Sequence, residues 1–174
     1  MIRNNKKIII RQASKNDARV LVDYLNIIGG ESNFLTFGAG EFGISIEEEE
    51  SFIEKVLKKE NDLFIVAEID GEIIGSLNFS GGLRERTAHV GEFGMSVLKK
   101  YWGNGIGEEL IKYLINWSKD SGIIRKINLR VRTDNERGIY LYKKLGFLEE
   151  GLLRRDFVIN DKFYDSLLMG LCID

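Results

Sequence analysis

A cluster of glycines in the middle of the chain is the feature most suited to binding a ligand. Gly103, Gly105 and Gly107 fall within five residues, after an apolar segment and before apolar side chains that recur at helical spacing. Backbone N–H groups at a helix start lack intrahelical partners, and the helix dipole favours negative charge there. Glycines let an anion approach closely because no Cβ intervenes. The pattern predicts a phosphate or diphosphate site, with a tight strand-to-helix turn without a ligand as an equal alternative.

Two common phosphate-binding sequences do not fit this cluster. A Walker loop ends in Gly-Lys-Ser/Thr, whereas Gly107 is followed by Glu108 and Glu109. The dinucleotide-binding fingerprint requires the spacing G-x-G-x-x-G, and the three glycines here stand at alternate positions. An anion site at this cluster would therefore belong to neither class.

Composition bounds the class of protein. The 174 residues are 44% apolar and 30% charged with a net charge of −2, which fits one soluble globular domain spanning residues 1–174 and argues against general nucleic-acid binding. No apolar run is long enough to span a bilayer, and the apolar part of the N-terminus is too short for a signal peptide. A single cysteine, Cys172, and a single histidine, His89, leave little for a disulfide or a zinc site. We therefore expect a cytoplasmic protein without a metal, in which Cys172 is a small buried apolar residue.

Periodicity divides the chain into elements in the order β-α-α-β-β-β-α-β-α-β-β. Strands are predicted at 6–11, 63–69, 72–79, 87–98, 126–132, 147–157 and 163–171. Asp70-Gly71 is a strong hairpin signal, and Asn160-Asp161 joins the last two strands. Gly94, inside the fourth strand, predicts a bulge or a close backbone approach. These elements predict a single α/β or α+β domain with one strand–helix–strand unit around the glycine cluster.

Local signals predict where the helices begin and end. Three starts carry the capping-box pattern: Ser14 with Asp17, Ser45 with Glu48, and Thr133 with Glu136. The first helix is expected to end at Gly29-Gly30. The acidic run 47–50 is expected to be a solvated first turn, with an amine-attracting field as the alternative. The segment 31–43, rich in glycine and phenylalanine, is expected to be either a surface loop packed by its own aromatics or a lid over a substrate.

Two sequence blocks are similar to the core motifs of the GNAT superfamily of acyl-CoA N-acyltransferases. The first family motif, Q/R-x-x-G-x-G/A, falls on Trp102, Gly105 and Gly107. The second is a strand followed by Asn-x-x-Ala and Leu-Tyr-x-x-x-Gly-Phe, and it falls on Asn135, Gly138, Leu141, Tyr142, Gly146 and Phe147. Because the order of elements also matches, the resemblance covers essentially the whole chain. Trp102 replaces the usual Arg or Gln, and Gly138 replaces the usual alanine.

The resemblance implies a fold and an activity. The expected fold is α/β (α+β): a mixed, mostly antiparallel central sheet of about seven strands, splayed between the two central strands and flanked by about four helices. The expected reaction moves an acetyl group from acetyl-CoA, without a metal, to a primary amine of a small molecule or a protein N-terminus. The last hairpin resembles the branch that contains ribosomal-protein N-terminal acetyltransferases, through Gly151, Arg154, Asn160, Asp161, Tyr164, Asp165 and Met169. A homodimer is implied only by analogy.

The resemblance also implies which residues hold the cofactor. The diphosphate is expected on backbone N–H groups of Gly103, Asn104, Gly105, Ile106, Gly107 and Glu108, with a backbone contribution from Trp102. The pantetheine arm is expected to lie beside Met95 and Val97, in a slot opened by a bulge near Gly94 and by the strand splay. A backbone N–H near Met95 would stabilise the oxyanion, and the Asn135 side chain would contact the cofactor arm.

The same resemblance implies catalytic roles. Tyr142 is the expected general acid for the departing thiolate, with a core aromatic residue as the alternative reading. Glu92 is the candidate general base, with His89 or water as alternatives. Acceptor specificity is expected from the segment 31–43, the second helix and the last hairpin, where Glu31, Glu41, Asp161 and Asp165 would favour a cationic amine. The alternative function is a non-catalytic acyl-CoA-binding or regulatory domain of the same fold.

Overall fold

Seven strands form one mixed sheet in the computed structural model, which describes residues 7–174. The strands are β1 (Ile9–Gln12), β2 (Asp62–Ile69), β3 (Glu72–Gly81), β4 (Val90–Val97), β5 (Lys126–Arg132), β6 (Leu148–Ile159) and β7 (Lys162–Cys172). The helices are α1 (Ala18–Glu31), α2 (Ile46–Leu57), α3 (Ile106–Ser121) and α4 (Glu136–Lys144). The predicted order of elements is confirmed, and so is the predicted fold class. The first residue of the predicted strand 6–11 lies outside the described residues.

The sheet has the strand order β1–β2–β3–β4–β5–β7–β6. Among the described residues the central pair β4–β5 is parallel, while the remaining neighbours are antiparallel. Both two-residue hairpin turns form as the sequence predicts, and all four turn residues have positive φ: Asp70, Gly71, Asn160 and Asp161. The sheet is therefore mostly antiparallel with one parallel junction at its centre.

Helices cover both faces of the sheet. A Cβ at Gly75 of β3 would lie 3.4 Å from Ile106 Cγ2 and 3.4 Å from Leu110 Cδ1, so this face packs against α3. On the opposite face the Tyr24 hydroxyl of α1 lies 2.9 Å from the Ser96 Oγ of β4. Because successive strand side chains alternate between faces, α3 and α1 lie on opposite sides. The core between these layers includes the fully buried side chains Leu21, Ile28, Ile53, Ile65, Leu77, Phe79, Leu110 and Leu114.

The two central strands diverge after a short paired segment. Strands β4 and β5 pair from Val90 with Lys126 to Glu92 with Asn128. Beyond Glu92, β4 continues beside β3 and β5 continues beside β7. The predicted splay is confirmed, but the bulge predicted at Gly94 is wrong, because the β3–β4 register runs without a shift through that residue. The gap comes from lost pairing between two continuous strands, and Gly94 leaves open space beside it.

Several predicted element ends are corrected by tertiary contacts. Helix α1 does not end at Gly29-Gly30 but continues to Glu31, and a Cβ at Gly29 would lie 2.5 Å from the Gly38 carbonyl oxygen. Gly29 therefore allows the loop 32–45 to pack against the helix. The fourth strand begins at Val90 because residues Glu85–Thr87 form a 3-10 turn. The Ser45–Glu48 capping box is confirmed by hydrogen bonds in both directions. Cys172 is exposed, contrary to its predicted burial.

Helix α4 begins differently from the prediction. The capping box predicted at Thr133 and Glu136 is wrong, because Asn135 is the N-cap and its Oδ1 accepts a hydrogen bond from the Gly138 N–H at 3.0 Å. A Cβ at Gly138 would lie 2.8 Å from Asn135 Nδ2. The Asn135 side chain folds tightly over its own helix start, so an alanine at position 138 would require this side chain to shift.

An ion pair fixes the beginning of α1 to the sheet, and we expect its loss to destabilise the protein. Arg11 donates to both carboxylate oxygens of Asp17, at 2.8 and 2.9 Å, which lowers the pKa of Asp17 from 3.8 to about 2. Because the folded pKa is depressed, this stabilisation is present above 3.8 and is lost as the pH falls through about 2. Because solvent partly screens this ion pair, the effect is smaller than the full pKa shift implies, and we expect Asp17→Asn to lower the free energy of unfolding by about 1–2 kcal/mol at neutral pH, measured by urea denaturation.

The control for this prediction is Asp23→Asn on the same helix. Asp23 is exposed and has no hydrogen bond or ion pair with any described residue. An Asp17→Asn protein that stays as stable as this control at neutral pH would contradict the assigned role.

Candidate active site

A cavity of about 1270 Å³ follows the gap between β4 and β5. One end is the glycine-rich turn before α3, and the other is walled by side chains of the loop 32–45, α2 and β2. The cavity brings together most of the predicted site residues: Glu92, Met95, Val97, Trp102, Gly103, Gly105, Ile106, Gly107, Glu108, Asn135 and Tyr142. Asn104 and His89 are not among the lining residues. His89 is exposed, on the chain just before β4.

The glycine-rich turn has the geometry of an anion cradle. Gly103 and Gly105 have φ angles of 83° and 79°, and Gly105 is the N-cap of α3. The first intrahelical hydrogen bond is donated by the Glu109 N–H to the Gly105 carbonyl at 3.1 Å. The N–H groups of Ile106, Gly107 and Glu108 precede this bond and have no intrahelical acceptor. The cradle fits the diphosphate of coenzyme A, because it offers unpaired N–H donors at a helix start and nothing lies within 4 Å of a Cβ built at Gly105.

The charged groups around the cradle are a carboxylate paired with lysines and a guanidinium that has no ion pair with a described residue. The Glu108 carboxylate accepts from Lys144 Nζ at 2.6 Å and lies 3.0 Å from Lys112 Nζ, and these contacts lower its pKa. Arg137, which the sequence analysis missed, lies over the Trp102 ring at 5.7 Å. A Cβ at Gly103 would be 3.7 Å from Arg137 Nη2. No described residue forms an ion pair with Arg137, so its guanidinium is available to a bound diphosphate.

The second half of β4 presents backbone groups to the gap. The Leu98 N–H bonds the Ile74 carbonyl of β3 at 2.9 Å, and antiparallel pairs alternate along the strands. Phe93, Met95 and Val97 therefore direct their N–H and C=O groups away from β3, towards the space that β5 has left. The Val97 carbonyl accepts a 2.6 Å hydrogen bond from the Trp102 indole N–H. Trp102 thus has a side-chain role in closing the turn, which its departure from the family motif did not suggest.

Tyr142 reaches the cavity from α4. Its ring makes edge contacts with Phe93 and Phe147, each with centroids 6.0 Å apart. Its hydroxyl has no hydrogen-bond partner among the described residues, and burial raises its pKa from 10.0 to about 12. The phenol therefore remains protonated at neutral pH, which is the form a proton donor needs.

Glu92 lines the cavity at the point where the strands separate. Its carboxylate accepts a 3.1 Å hydrogen bond from Arg130 Nε, and its side chain is 47% exposed. Arg130 Nη1 also lies 3.6 Å from Asp156. Glu92 can contact a solvent-accessible amine at this point. If Glu92 accepted a proton from the amine, it would weaken the ion pair between Glu92 and Arg130.

Arg132 ties the loop 32–45 to the sheet. Its side chain is 4% exposed, donates to Asp134 at 3.0 and 2.6 Å, and donates to the Asn33 carbonyl at 2.7 Å. Its guanidinium also stacks on the Tyr164 ring at 3.8 Å and lies over Phe34 at 5.0 Å. The ion pair lowers the pKa of Asp134. Arg132 therefore positions the wall of the cavity, and its charge is already satisfied inside the protein.

Glu49 is a buried residue in the acidic run 47–50, which was expected to be a solvated first turn or, alternatively, an amine-attracting field. Its residue is 2% exposed, it lines the cavity, and burial raises its pKa from 4.5 to about 6. No described residue forms a hydrogen bond or ion pair with its carboxylate. Helical periodicity could have indicated that Glu49 is buried, because it stands four and seven residues before the buried Ile53 and Val56.

The buried charge of Glu49 has a predictable effect on stability. Because the folded pKa is raised, the carboxylate destabilises the folded state progressively as the pH rises from 4.5 to about 6. We expect Glu49→Gln to raise the free energy of unfolding by up to about 2 kcal/mol above this range and to have little effect below it. Urea denaturation across the pH range measures the difference. A variant less stable than wild type at neutral pH would contradict this account.

The acidic residues predicted to select a cationic acceptor do not line the cavity. Glu31 accepts from the Lys99 N–H at 2.6 Å, and Glu41 accepts from the Gly38 N–H at 2.7 Å. Asp165 accepts from the Arg155 N–H at 2.8 Å, and Asp161 lies in the last hairpin turn. Most of these carboxylates accept backbone hydrogen bonds that stabilise loops and turns.

The described residues contain neither a candidate membrane helix nor a candidate metal site. Within residues 7–174 no helix is long and apolar enough to cross a membrane. Over the same residues, no group of three or more His, Cys, Asp or Glu side chains is arranged to hold a metal ion.

Sequence comparisons identify relatives of the chain. Residues 34–147 match the model of the acetyltransferase (GNAT) family. The chain is 31% identical to the L-amino acid N-acetyltransferase AaaT of Escherichia coli over 106 residues, which are 61% of this chain and 65% of that protein. It is 32% identical to an N-alpha-acetyltransferase of Sulfurisphaera tokodaii, over 65% of this chain and 72% of that one. The aligned segments therefore span about two thirds of these relatives.

Solved structures extend the likeness to nearly the whole fold. An acetyltransferase of the GNAT family from Streptococcus pneumoniae is 34% identical with a TM-score of 0.93, covering 97% of this chain and all of that one. The yncA protein of Salmonella typhimurium, solved with its cofactor acetyl-CoA, has a TM-score of 0.83 at 19% identity, covering 96% and 94% of the two chains. The ribosomal-protein-alanine N-acetyltransferase of Brucella melitensis has a TM-score of 0.82 at 21% identity, covering 94% and 99%.

Proposed function

This chain is an N-acetyltransferase of the acetyltransferase (GNAT) family, and we propose that it transfers the acetyl group of acetyl-CoA directly to a primary amine in the cavity between β4 and β5. The observation that carries the proposal is the continuity of one cavity from the glycine-rich turn, past the unpaired edge of β4, to Tyr142. A single ligand with an anionic end and a thioester end fits that path.

The glycine-rich turn is proposed to hold the diphosphate. The N–H groups of Ile106, Gly107 and Glu108 donate to it, together with those of Gly103 and Gly105. Trp102 and Asn104 shape the turn, since the Trp102 indole bonds the Val97 carbonyl and the Asn104 side chain bonds the Tyr101 carbonyl at 2.9 Å. Arg137 adds the positive charge that the backbone lacks.

Strand β4 is proposed to orient the rest of the cofactor. The amide groups of the pantetheine arm can pair with the backbone of Met95 and Val97 as an added strand would. The Met95 N–H can also stabilise the negative charge that develops on the acetyl oxygen. Asn135 uses its Oδ1 as a helix cap, so its Nδ2 remains as the donor towards the cofactor arm.

Tyr142 and Glu92 are proposed to move the protons. The amine nitrogen forms a bond to the acetyl carbon while the bond from that carbon to sulfur breaks. Tyr142 donates its phenolic proton to the departing thiolate. Glu92, directly or through water, accepts the proton that the amine loses. His89 is not supported for this role, because it is exposed and does not line the cavity.

The acceptor is proposed to be a small-molecule amine or a protein N-terminus. The E. coli relative acts on L-amino acids and the Sulfurisphaera relative is an N-alpha-acetyltransferase, by their names, so the relatives do not agree on one acceptor. A homodimer is also proposed, supported by the exposed apolar side chains Leu148, Leu152 and Val158 on the edge strand β6. A cytoplasmic location stays a prediction from composition.

A thiol-release assay tests the proposed activity. The protein is saturated with acetyl-CoA and mixed with alkylamines, amino acids, polyamines and peptides with a free N-terminus, and free CoA is detected with a thiol reagent. Acceptor-dependent release, with the N-acetylated product found by mass spectrometry, is the expected result. Tight acetyl-CoA binding without turnover on any amine would instead favour a non-catalytic acyl-CoA-binding domain.

A further inference from the structure

We propose that Glu49 binds a second, protonated nitrogen of the acceptor, so that the preferred acceptors are linear diamines or polyamines. The inference rests on the proposed acetyl transfer and adds the chemical class of the amine. It concerns the end of the cavity formed by α2, β2 and the loop 32–45, away from the glycine-rich turn.

The Glu49 carboxylate lacks a counter-charge. The residue as a whole is 2% exposed, its carboxylate has no hydrogen-bond or ion-pair partner among the described residues, and it forms part of the cavity wall. A buried carboxylate without a partner destabilises a fold unless something compensates the charge. A cation that enters through the cavity would compensate this charge, and the cavity has room for it.

The cationic side chains along the cavity are already paired or lie at its other end. Among the described lining residues there are three, Arg130, Arg132 and Arg137. Arg130 is paired with Glu92 and Asp156, and Arg132 is paired with Asp134. Arg137 lies over Trp102, at the glycine-rich turn. The acceptor end therefore offers an unpaired anion and no unpaired cation among the described lining residues, which suits an ammonium group and disfavours an acceptor carboxylate.

An apolar wall lines this end of the cavity. The rings of Phe52 and Phe64 lie 5.7 Å apart in an edge contact, and those of Phe37 and Phe42 lie 4.7 Å apart. All four side chains line the cavity. Such a wall suits a methylene chain, and aromatic faces also attract an ammonium group. The combination selects a flexible aliphatic cation.

The nitrogen anchored by Glu49 cannot be the attacking one. A nitrogen held by a carboxylate is stabilised in its protonated form, and a protonated amine has no lone pair with which to attack. Phe64, Asn78 and Gly94 are directly opposite one another on β2, β3 and β4, a separation of roughly 10 Å at the usual strand spacing. Phe64 lies at the Glu49 end and Gly94 at the gap, so the attacking nitrogen belongs at the other end of a chain of several methylenes.

The test compares three acceptors of matched length. These are heptamethylenediamine, n-heptylamine and ω-aminoheptanoate, which end respectively in a cation, a methyl group and an anion. For the wild-type protein we expect kcat/KM for the diamine to exceed that for the monoamine by about tenfold or more, the usual effect of one charge-assisted contact. The amino acid should be the poorest substrate.

Two variants assign the preference to Glu49. In Glu49→Gln the ratio of kcat/KM for diamine over monoamine should fall to about one, with KM for acetyl-CoA unchanged. Glu47→Gln is the matched control, because it removes the same charge from an exposed position on the same helix, and it should keep the wild-type ratio. The melting temperature checks folding, since Glu49→Gln should melt higher than wild type without ligand and should gain less from added diamine.

The outcomes separate this inference from the proposed function. A wild-type protein that acetylates all three acceptors equally, or a Glu49→Gln protein that keeps the diamine preference, overturns the role of Glu49 while leaving acetyl transfer intact. Wild-type protein that releases no CoA with any of the three, or with any amine of the broader panel, overturns the acetyl transfer itself and this inference with it.

Discussion

Replacing Tyr142 with phenylalanine should lower kcat about 100-fold at saturating acetyl-CoA, within the range for loss of a positioned general acid. The Tyr142 hydroxyl forms no hydrogen bond with any described residue, Tyr142 lines the cavity, and the pKa of about 12 keeps the hydroxyl protonated. The variant keeps the ring that packs on Phe93 and Phe147, so acetyl-CoA binding and stability should change little. Steady-state kinetics should therefore show a loss in kcat with a nearly constant KM for acetyl-CoA.

Tyr113→Phe is the matched control for this effect. Tyr113 packs against the same core from α3 but does not line the cavity. It should retain wild-type kcat. If Tyr142→Phe turns over as fast as Tyr113→Phe, the thiolate leaves without help from this phenol, and Tyr142 is a packing residue.

Adding a Cβ at Gly105 should raise the KM for acetyl-CoA between about tenfold and 100-fold, the effect expected when a charge-assisted contact to the diphosphate is lost. Gly105 has a φ of 79° and caps α3, and nothing in the protein lies within 4 Å of the position of an added Cβ. The Cβ of Gly105→Ala would occupy the space where the diphosphate must approach the Ile106 and Gly107 N–H groups. Calorimetric titration with CoA should show the same loss of affinity.

Gly122→Ala separates cofactor binding from backbone strain. Gly122 ends the same helix with a φ of 67°, and an added Cβ there also meets nothing within 4 Å. Both variants place alanine in the left-handed region, which is unfavourable by roughly 1–2 kcal/mol. Their melting temperatures should fall alike, but Gly122→Ala should bind CoA as wild type does. Equal CoA affinity in the two variants would place the diphosphate away from the glycine-rich turn.

Glu49 shows how a correct local prediction can leave the environment of a side chain undetermined. The Ser45–Glu48 box and the helix start were predicted, and both are confirmed. Four consecutive glutamates looked like a solvated turn because charge is normally exposed and favoured at a helix N-terminus. Whether the third of them is buried depends on the rotation of α2 against β2, which is set by Ile53 and Val56 and by the strand beneath them.

Trp102 and Gly94 show the same limit on the cofactor side. A tryptophan in place of Arg or Gln suggested a backbone role alone, whereas its indole N–H bonds the Val97 carbonyl across the turn. Gly94 suggested a bulge or a close backbone approach, whereas the strand is regular there and the opening lies between β4 and β5. The hydrogen bond of Trp102 and the opening beside Gly94 both depend on the path of the chain in space. Residue type alone does not determine that path.

The amino-acid sequence by itself determined the order of the elements, the two hairpin turns and the glycine-rich start of α3, because each depends on the φ preferences, hydrogen bonds and periodicity of residues close together in the chain. Only the tertiary structure decided that β4 and β5 part after Glu92, that Arg137 and Trp102 meet beside the turn, and that Glu49 faces the cavity. These features arise from the packing of distant segments, whose shared register and burial are properties of the assembled sheet and its helices.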